Sequence, residues 1–284
     1  DGNVGPKGNL GTITDSLVKL ITQDPEYGKS SIQFFYQYVN YTAAGVNAIH
    51  LADDLNIADP INGNKRRANT FSLLTYRYTF PNDWLAIAIG QYSFYNFDRN
   101  QYTQNAQINF INYALAQNGS ATYANAGLGT FVQINPTNTL TLLGGVQGAE
   151  NIRGANIQWS NFTHGAHAWF TEAAWTPTLK NLGSTYLAIL YYKQPAVVQQ
   201  PVTTNGFSLS AVQNLNEHWG IFMRANTASE SLFNIDRSYV GGVVNNNPLG
   251  RDTRDQIGSA LAVNRVNPKA FPNTSTGHYE QVLE

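Results

Sequence analysis

The stretch 71–97, FSLLTYRYTFPNDWLAIAIGQYSFYNF, decides the fold. It is apolar and aromatic almost throughout, and only Arg77 and a PND turn at 81–83 interrupt it. Before the turn, Leu74, Tyr76, Tyr78 and Phe80 oppose Leu73, Thr75, Arg77 and Thr79, and this period of two predicts the first strand of a β-hairpin. The apolar positions of such a hairpin must be covered by a second layer of protein or by the hydrocarbon of a membrane.

The composition of the whole chain favours the membrane. Charged residues make up 12% of the 284 residues, about half the share of about 25% found in soluble globular proteins. Aromatic residues also make up 12%, and no apolar run reaches the roughly 18 residues of a transmembrane helix. This combination is typical of a transmembrane β-barrel, in which polar lumen-facing residues alternate with apolar lipid-facing ones.

Charge and cysteine content exclude several other classes of protein. The net charge of -1 gives no bulk attraction to nucleic acid, so we expect no nucleic-acid partner. The absence of cysteine excludes disulfides, zinc-thiolate sites and thiol catalysis. The opening DGNVGPKGN is typical of a mature or trimmed N-terminus rather than of a signal peptide.

Period-two patterns predict long strands over most of the chain. Most of the candidates run to about 9–13 residues, whereas strands of soluble domains are nearer 5–6 and a tilted transmembrane strand needs roughly 9–11. The eleven candidate strands lie near 31–42, 69–80, 84–97, 121–134, 138–150, 165–176, 184–193, 205–213, 218–227, 256–266 and 278–284.

The segments between these strands alternate in length. Short turns at one rim and long loops at the other are typical of outer-membrane barrels, whereas a β-sandwich has less regular spacing. The tight connections lie at 81–83, 135–137, 177–183 and 214–217, and the long polar ones at 43–68, 98–120, 151–164, 194–204 and 228–255.

Tryptophans mark the short-turn end. Trp84 and Trp219 directly follow short turns, and Trp175 directly precedes one. Amphipathic rings are favoured at a membrane–water interface, so we expect an aromatic girdle at the periplasmic rim. The alternative is that these rings only cap a protein core.

The chain divides into two predicted regions. Residues 1–30 are expected to form an N-terminal periplasmic segment, and residues 31–284 an incomplete barrel. Within the first region, 11–21 reads GTITDSLVKLI, which has helical spacing and a Thr14/Asp15 start. A short periplasmic helix or plug is one interpretation, and a strand is the other.

Alternate residues of a strand point to opposite faces, and this parity of position selects the candidate pore-lining residues. Arginine facing lipid near the midplane costs about 2–4 kcal/mol, so Arg224 must point into the lumen. Arg77 and Glu172 share that parity, and opposite charges across a hydrated lumen create a transverse field. Phe222 is the expected stacking surface for a neutral polyol. Alternatively, these charges only hydrate the lumen or pair with a plug.

No pattern supports catalysis or a bound metal, so we expect neither an enzyme nor a cofactor. His164 and His167 are three apart beside a strand, a poor geometry for a metal pair. The stretch 53–59, DDLNIAD, lacks the central glycine of a calcium loop, and a solvated loop is preferred. The basic cluster 65–67 could contact lipopolysaccharide phosphates, but a solvated turn is preferred.

The segment 206–229, GFSLSAVQNLNEHWGIFMRANTAS, resembles a hairpin of the OprB-type carbohydrate-selective porins. In that hairpin a strand ending in a Q-N-L turn is followed by W-G-x-F-x-R. The stretches 254–268 and 278–284 are similar to the family's next strands, through the patterns D-x-x-G-x-A and E-x-V-L-E. The matching residues are Gln213, Asn214, Leu215, Trp219, Gly220, Phe222, Arg224, Asp255, Gly258, Ala260, Glu280, Val282, Leu283 and Glu284.

The resemblance implies an outer-membrane barrel of Gram-negative bacteria that passes sugars by facilitated diffusion, typically with about sixteen strands. An odd number of candidate strands predicts closing strands beyond residue 284. Loop 43–68 or 98–120 is the expected constriction. Lipid and lipopolysaccharide are the expected surroundings, and a homo-oligomer is left open. Three alternatives are an adhesion or envelope-anchoring barrel, an outer-membrane hydrolase and a soluble carbohydrate-binding β-protein.

Overall fold

The computed structural model describes most of the chain as one antiparallel sheet. Each strand pairs with the next along the chain, except at one two-residue strand that pairs only with its successor, so that the strands before and after it are neighbours. The described residues are 11–41, 67–104, 109–110, 112–121, 123–124, 126–151, 156–180, 183–198, 201–251, 255–272 and 279–284.

Fourteen strands make up the sheet in this part of the chain. The predicted antiparallel up-and-down arrangement is therefore confirmed. The strands are β1 (Gly11–Asp24), β2 (Gly28–Tyr41), β3 (Arg67–Thr79), β4 (Leu85–Tyr92), β5 (Gly127–Ile134), β6 (Leu140–Gly148), β7 (His167–Trp175), β8 (Thr178–Leu179), β9 (Gly183–Gln194), β10 (Thr204–Asn214), β11 (Trp219–Ser229), β12 (Ile235–Asn246), β13 (Gln256–Val266) and β14 (Tyr279–Leu283).

The helical elements of the described residues are short and lie between strands. They are the 3₁₀ turns Pro81–Asp83 and Phe94–Asn96 and the α-helices Tyr113–Ala116 and Trp159–His164. Across the described residues, none of the helices has the length and apolar character needed to span a bilayer.

The first strand corrects the helical interpretation of 11–21. Every Cα from Gly11 to Asp24 is paired with β2, so this segment is the first strand of the sheet. Leu17, Val18, Leu20 and Ile21 have the spacing of a helical stripe, but in the strand they fall on both faces and all four are exposed. Cross-strand pairing overrides the helical spacing, and the sheet begins at residue 11 rather than 31.

A second correction lies in 228–255, which the sequence analysis treats as one long loop. Strand β12 occupies Ile235–Asn246 and pairs with both β11 and β13. The Gly241–Gly242 pair hides the strand in the sequence, because glycine is unfavourable in ordinary strands. The connection 230–234 therefore lies at the long-loop end and 247–255 at the short-turn end, and β13 runs opposite to the expected direction.

The two predicted strands around 98–120 are shorter than expected. Strand β4 ends at Tyr92, and β5 begins only at Gly127. The residues between them belong to a long connection that lies against one face of the sheet. We call residues 93–126 the inward loop.

The opposite face of the sheet is an apolar surface that is left exposed by the described residues. Along β11, Ile221 and Met223 are exposed, whereas Phe222 and Arg224 between them are buried. Met223 is 61% exposed and Ile89 on β4 is 60% exposed. Soluble monomers rarely display such a contiguous apolar surface, so this face is the lipid-facing side of a membrane-spanning wall.

Aromatic side chains border this outer face at both ends. Trp84, Trp175 and Trp219 are exposed beside the short turns, as predicted. Toward the other end, Trp169 contacts Tyr191 with ring centroids 5.3 Å apart. The six residue steps from Trp169 to Trp175 span about 20 Å along the strand, which is comparable with the roughly 25 Å apolar band of outer-membrane barrels.

Gly242 provides a test of the inner packing. A Cβ atom there would lie 2.6 Å from Cε1 of Phe222. We expect Gly242→Val to destabilise the fold by about 1–3 kcal/mol, because overpacking forces neighbouring groups to move. Urea unfolding of the protein in lipid vesicles, followed by tryptophan fluorescence, measures this loss.

The adjacent Gly241 is the matched control for this substitution. It faces outward, and the nearest atom to its added Cβ is the Phe222 carbonyl oxygen at 3.7 Å. Gly241→Val should therefore leave the unfolding midpoint close to that of the parent protein. Equal losses for the two variants would contradict the proposed contact.

Candidate functional site: the inner wall and the inward loop

The inward loop runs from one rim of the sheet toward the other. It leaves β4 at the long-loop end, and its Tyr102 contacts residues beside the short turns. The Tyr102 hydroxyl donates to Oδ1 of Asn214 at 3.0 Å and accepts from Nδ2 of Asn246 at 3.1 Å. Gly220 lies directly beneath this hydroxyl, where any larger side chain would collide with it.

Arg224 is the second attachment point of the inward loop. Its side chain is 2% exposed, and Nη1 donates to both the carbonyl oxygen and the Oγ1 of Thr103, each at 3.1 Å. Asn100 supports the same segment through Nδ2, which donates to Ser210 Oγ at 2.8 Å. Ser210 and Arg224 are directly paired across β10 and β11, so the two bonds act side by side.

Phe222 is covered rather than open to the lumen. Its ring is 4% exposed and lies between Tyr102 and Phe110, with centroid distances of 5.7 and 5.6 Å. The ring therefore packs against the loop instead of presenting a free face. This corrects the expectation that Phe222 is a stacking surface for solute.

Alternate residues of the hairpin motif thus form the receptor for one short loop segment. Asn214, Gly220, Phe222 and Arg224 all contact Tyr102 or Thr103 directly. The spacing W-G-x-F-x-R places the glycine, the ring and the guanidinium on the inner face, since every second residue of a strand points the same way. The motif resemblance selected these residues, and the structure shows what they touch.

Aromatic packing holds the other part of the inward loop. Phe94 and Phe97 lie on Phe170 of β7, with ring centroids 4.6 and 4.7 Å apart. Phe97 also contacts Phe131 of β5 at 5.0 Å. Edge-to-face and offset aromatic pairs each contribute about 0.5–1.5 kcal/mol beyond area burial, so this cluster stabilises the loop against the wall.

A buried carboxylate joins the two halves of the inward loop. Oδ2 of Asp98 accepts from Nδ2 of Asn118 at 2.7 Å and from the hydroxyl of Tyr123 at 2.9 Å. Burial, with the charge of Asp98 added, raises the pKa of Tyr123 well above its ordinary value. The phenol therefore stays protonated and remains a donor to the carboxylate across the physiological pH range.

Arg99 faces the inner wall across from Glu172. Burial by the surrounding protein lowers the pKa of Arg99, whereas the nearby Tyr186 and Glu172 raise it. Arginine nonetheless remains protonated in proteins. Arg99 is also exposed to solvent, as expected of a charge on a concave wall. The sequence analysis does not select Arg99 as a pore-lining candidate, because Arg99 lies outside the strands and the alternation of strand residues does not apply to it.

Arg77 lies on another part of the inner wall. It is half-buried, and its Nη2 donates to Oε1 of Gln133 at 2.9 Å. Gln133 in turn donates to Oδ1 of Asn135 at 3.0 Å, near the short turn between β5 and β6. The structure thus brings Glu172 together with Arg99, but it does not group Arg77, Glu172 and Arg224 into one contact set.

The other sequence candidates do not form a metal site in the part of the chain that is described. No group of three potential ligands occurs there, and His167 Nε2 lies 2.7 Å from the Phe162 carbonyl oxygen. The acidic stretch 53–59, the basic positions 65 and 66 and most of the loop 43–68 lie outside the described residues.

Comparisons in sequence point to porins. No family model matches the chain. Curated relatives named Porin AaxA match 96% of it: those of Chlamydia felis at 38% identity, Chlamydia abortus at 37% and Chlamydia pneumoniae at 36%. The chain covers 60–62% of the length of these relatives, so it spans less than two thirds of them.

Comparison of structures gives the type of barrel. The high-pH structure of OprB from Pseudomonas putida superposes with a TM-score of 0.60 at 12% identity, covering 93% of this chain and 77% of that one. Its low-pH structure gives 0.52 at 12% identity, covering 91% and 72%. The chain therefore has the fold of an OprB-type porin barrel. The predicted outer-membrane location is also confirmed.

Within this sheet, we expect Arg224→Ala to release the inward loop. The guanidinium makes two hydrogen bonds to Thr103, and bonds to charged groups contribute about 1.5–3 kcal/mol. Arg99 is the sole trypsin site in 93–126. Cleavage there should therefore accelerate by about tenfold or more, as followed by mass spectrometry of vesicle-embedded protein.

Two further variants complete this experiment. Thr103→Val keeps the carbonyl acceptor and should give an intermediate rate. Arg237→Ala removes an exposed arginine from the outer face of neighbouring β12 and should leave the rate unchanged. If Arg237→Ala and Arg224→Ala accelerate cleavage equally, Arg224 does not hold the loop.

Proposed function

We propose that this protein is an outer-membrane porin that passes small polar solutes, with sugars as the preferred class, by diffusion through a hydrated lumen. The observation that carries the proposal is the exposed residue Arg99 of the inward loop, which lies close enough to Glu172 of the inner wall for the two charges to interact. Opposite charges facing each other across water orient polar solutes and limit ion passage. The proposed transport requires neither catalysis nor a cofactor.

The inward loop is the proposed constriction. It comprises the predicted segment 98–120, and its backbone covers the inner faces of β10 and β11 through Asn100, Tyr102 and Thr103. Glu172 and Arg77 line the path beside it in this proposal. Arg224 has a different role, because it positions the loop and does not reach the solute.

The inner wall supports sugars as the preferred class. Many of its buried polar side chains are neutral amides and hydroxyls, including Gln91, Gln147, Ser208, Asn226 and Asn264. Such groups both donate and accept hydrogen bonds, as sugar hydroxyls do. The resemblance of 206–284 to carbohydrate-selective porins supports the same class.

The outer face carries the proposed lipid contacts. Its exposed aliphatic residues, such as Ile89, Ile189 and Leu209, would face acyl chains. Lipopolysaccharide would border the long-loop rim, because short connections of outer-membrane barrels lie on the periplasmic side and long loops outside.

Ion selectivity tests the Arg99–Glu172 pair. Glu172→Gln should shift the reversal potential in a KCl gradient toward anion preference, because a wall-bound negative charge is removed. Arg99→Gln should shift it toward cations, and the double variant should lie between them. Planar-bilayer recordings of the whole protein measure the three potentials.

A neutral variant on the outer face controls for indirect effects. Lys193→Gln removes an exposed charge from β9 outside the lumen and should leave the reversal potential unchanged. The pair does not line the path if Glu172→Gln and Arg99→Gln behave like this control.

Solute preference is tested by swelling of vesicles that contain the protein. We expect swelling in glucose to exceed swelling in larger sugars, since the inward loop narrows the lumen. A barrel that serves only adhesion or anchoring would show no solute-dependent swelling. Equal rates for vesicles with and without protein would therefore reject the transport proposal.

A further inference from the structure

Five polar residues form a continuous row across the inner wall. Ser208, Asn226, Ser238, Asn264 and Glu280 lie on the consecutive strands β10 to β14, and each is directly paired with the next. Neighbouring strands lie about 4.8 Å apart, so these side chains stand side by side at one level of the wall. We call these five residues the polar row.

The ends of the polar row are hydrogen-bonded, but its centre is not. Ser208 Oγ donates to Asn226 Oδ1 at 2.8 Å, and Asn264 Nδ2 donates to Glu280 Oε2 at 3.1 Å. The structure gives no partner among the described residues to Asn226 Nδ2, Ser238 Oγ or Asn264 Oδ1. These three residues are 0% exposed, and buried polar groups without partners are unfavourable.

Residues 118–120 of the inward loop, which we call the loop tip, cover this centre. An added Cβ on Gly119 would lie 3.3 Å from Ser238 Oγ and 3.7 Å from Asn264 Oδ1. Its neighbours Asn118 and Ser120 are also buried, but Asn118 directs its side-chain bonds to Asp98 and Ser120 of the loop itself. The tip therefore shields the row from water without satisfying its three central atoms.

We propose that the centre of the polar row is a binding site for the hydroxyl groups of a neutral polyol, reached when the loop tip 118–120 lifts from the wall. Asn226 offers a donor, Ser238 a group that donates or accepts, and Asn264 an acceptor. This neutral set spans two strand spacings, about 10 Å, and matches hydroxyls rather than charges. The inference rests on the proposed porin function and names where its solute binds.

The attachments of Asn100 and Thr103 lie away from this site, whereas lifting residues 118–120 would separate Asn118 from Asp98. The bonds of Thr103 and Asn100 to Arg224 and Ser210 lie two residues along β11 and β10 from the polar row. Among the described residues, the tip makes no hydrogen bond to the three central atoms that lifting would break. Binding of hydroxyl groups would supply the missing partners and offset the cost of displacing the tip.

Ser238→Ala tests the site with glucose as the probe. Losing one hydrogen bond should weaken glucose-dependent block of the ion current by about three- to tenfold. The variant should also resist unfolding as well as or better than the parent, because it removes a buried unpartnered group. A purely structural hydroxyl would instead lower stability and leave the block constant unchanged, which would overturn the inference.

Ser259→Ala is the matched control for this variant. Ser259 lies on the exposed outer face of β13, so its loss should not change the block constant. A change equal to that of Ser238→Ala would also count against the site, because it would show that the effect does not depend on the inner face.

A disulfide tests the lifting of the tip. The chain has no cysteine, and the Cβ positions at Gly119 and Ser238 are 3.5 Å apart, within the roughly 3.5–4.5 Å range of disulfides. In the double variant Gly119→Cys/Ser238→Cys, oxidation should abolish the glucose block that remains without the Ser238 hydroxyl, and a reductant should restore that weaker block. Equal block in the oxidised and reduced states, including none in both, would overturn the inference.

The same recordings separate this inference from the proposed function. KCl conductance reports on the porin itself, whereas glucose block reports on the site. A protein that conducts KCl but shows redox-independent glucose block retains the porin function and loses the polar-row site. A protein that forms no channel in either state fails the porin proposal.

Discussion

The sheet separates hydrocarbon from a polar interior, and the alternation of side chains along each strand follows from this constraint. With a period of two, a single strand must present apolar groups to lipid and polar or loop-contacting groups to the lumen. On β11, Met223 is 61% exposed on one side and Arg224 is 2% exposed on the other. A shift of register by one residue would exchange these environments, so the constraint also fixes strand pairing.

The same constraint determines how the inner face receives its loop. Large rings and glycines are complementary there: Phe222 lies over Gly242, and the Tyr102 hydroxyl lies over Gly220. These contacts place the loop close to the wall, where Arg224 and Ser210 can bond to it. The inward positions of the sequence W-G-x-F-x-R thus pack against the loop. Its outward positions make no contact with the loop and can be apolar residues that face lipid.

Much of the fold could be predicted because period and parity are local properties of a sequence. The hairpin at 71–97, the tryptophans beside the short turns and the inward direction of Arg224 all follow from them. The sequence pattern does not identify β1 as a strand, because its apolar residues also match helical spacing and only its pairing with β2 distinguishes the two structures. The pattern does not identify β12 either, because Gly241 and Gly242 are unfavourable in a strand unless a large side chain such as Phe222 of the neighbouring strand packs against them.

The site was less predictable for a related reason. The alternation of residues along a strand shows which way a strand residue points, but not whether a distant loop covers it. The sequence therefore predicts an open ring at Phe222, and it does not select Arg99, which lies in a loop. Loop residues have no period, and the contact between Arg224 and Thr103 joins positions that are 121 residues apart.

The two arginines that matter at the loop illustrate a division of roles. A desolvated guanidinium is a strong hydrogen-bond donor, so Arg224, which is 2% exposed and donates from Nη1 to the Thr103 carbonyl oxygen, is suited to hold a backbone segment in place. Arg99 remains exposed to solvent and can therefore interact with a solute in the lumen. Arg224, which holds the loop against the wall, is buried beneath the loop. Arg99, which is proposed to contact the solute, is carried by the loop itself. Positioning and selection can then change independently, because no single residue performs both.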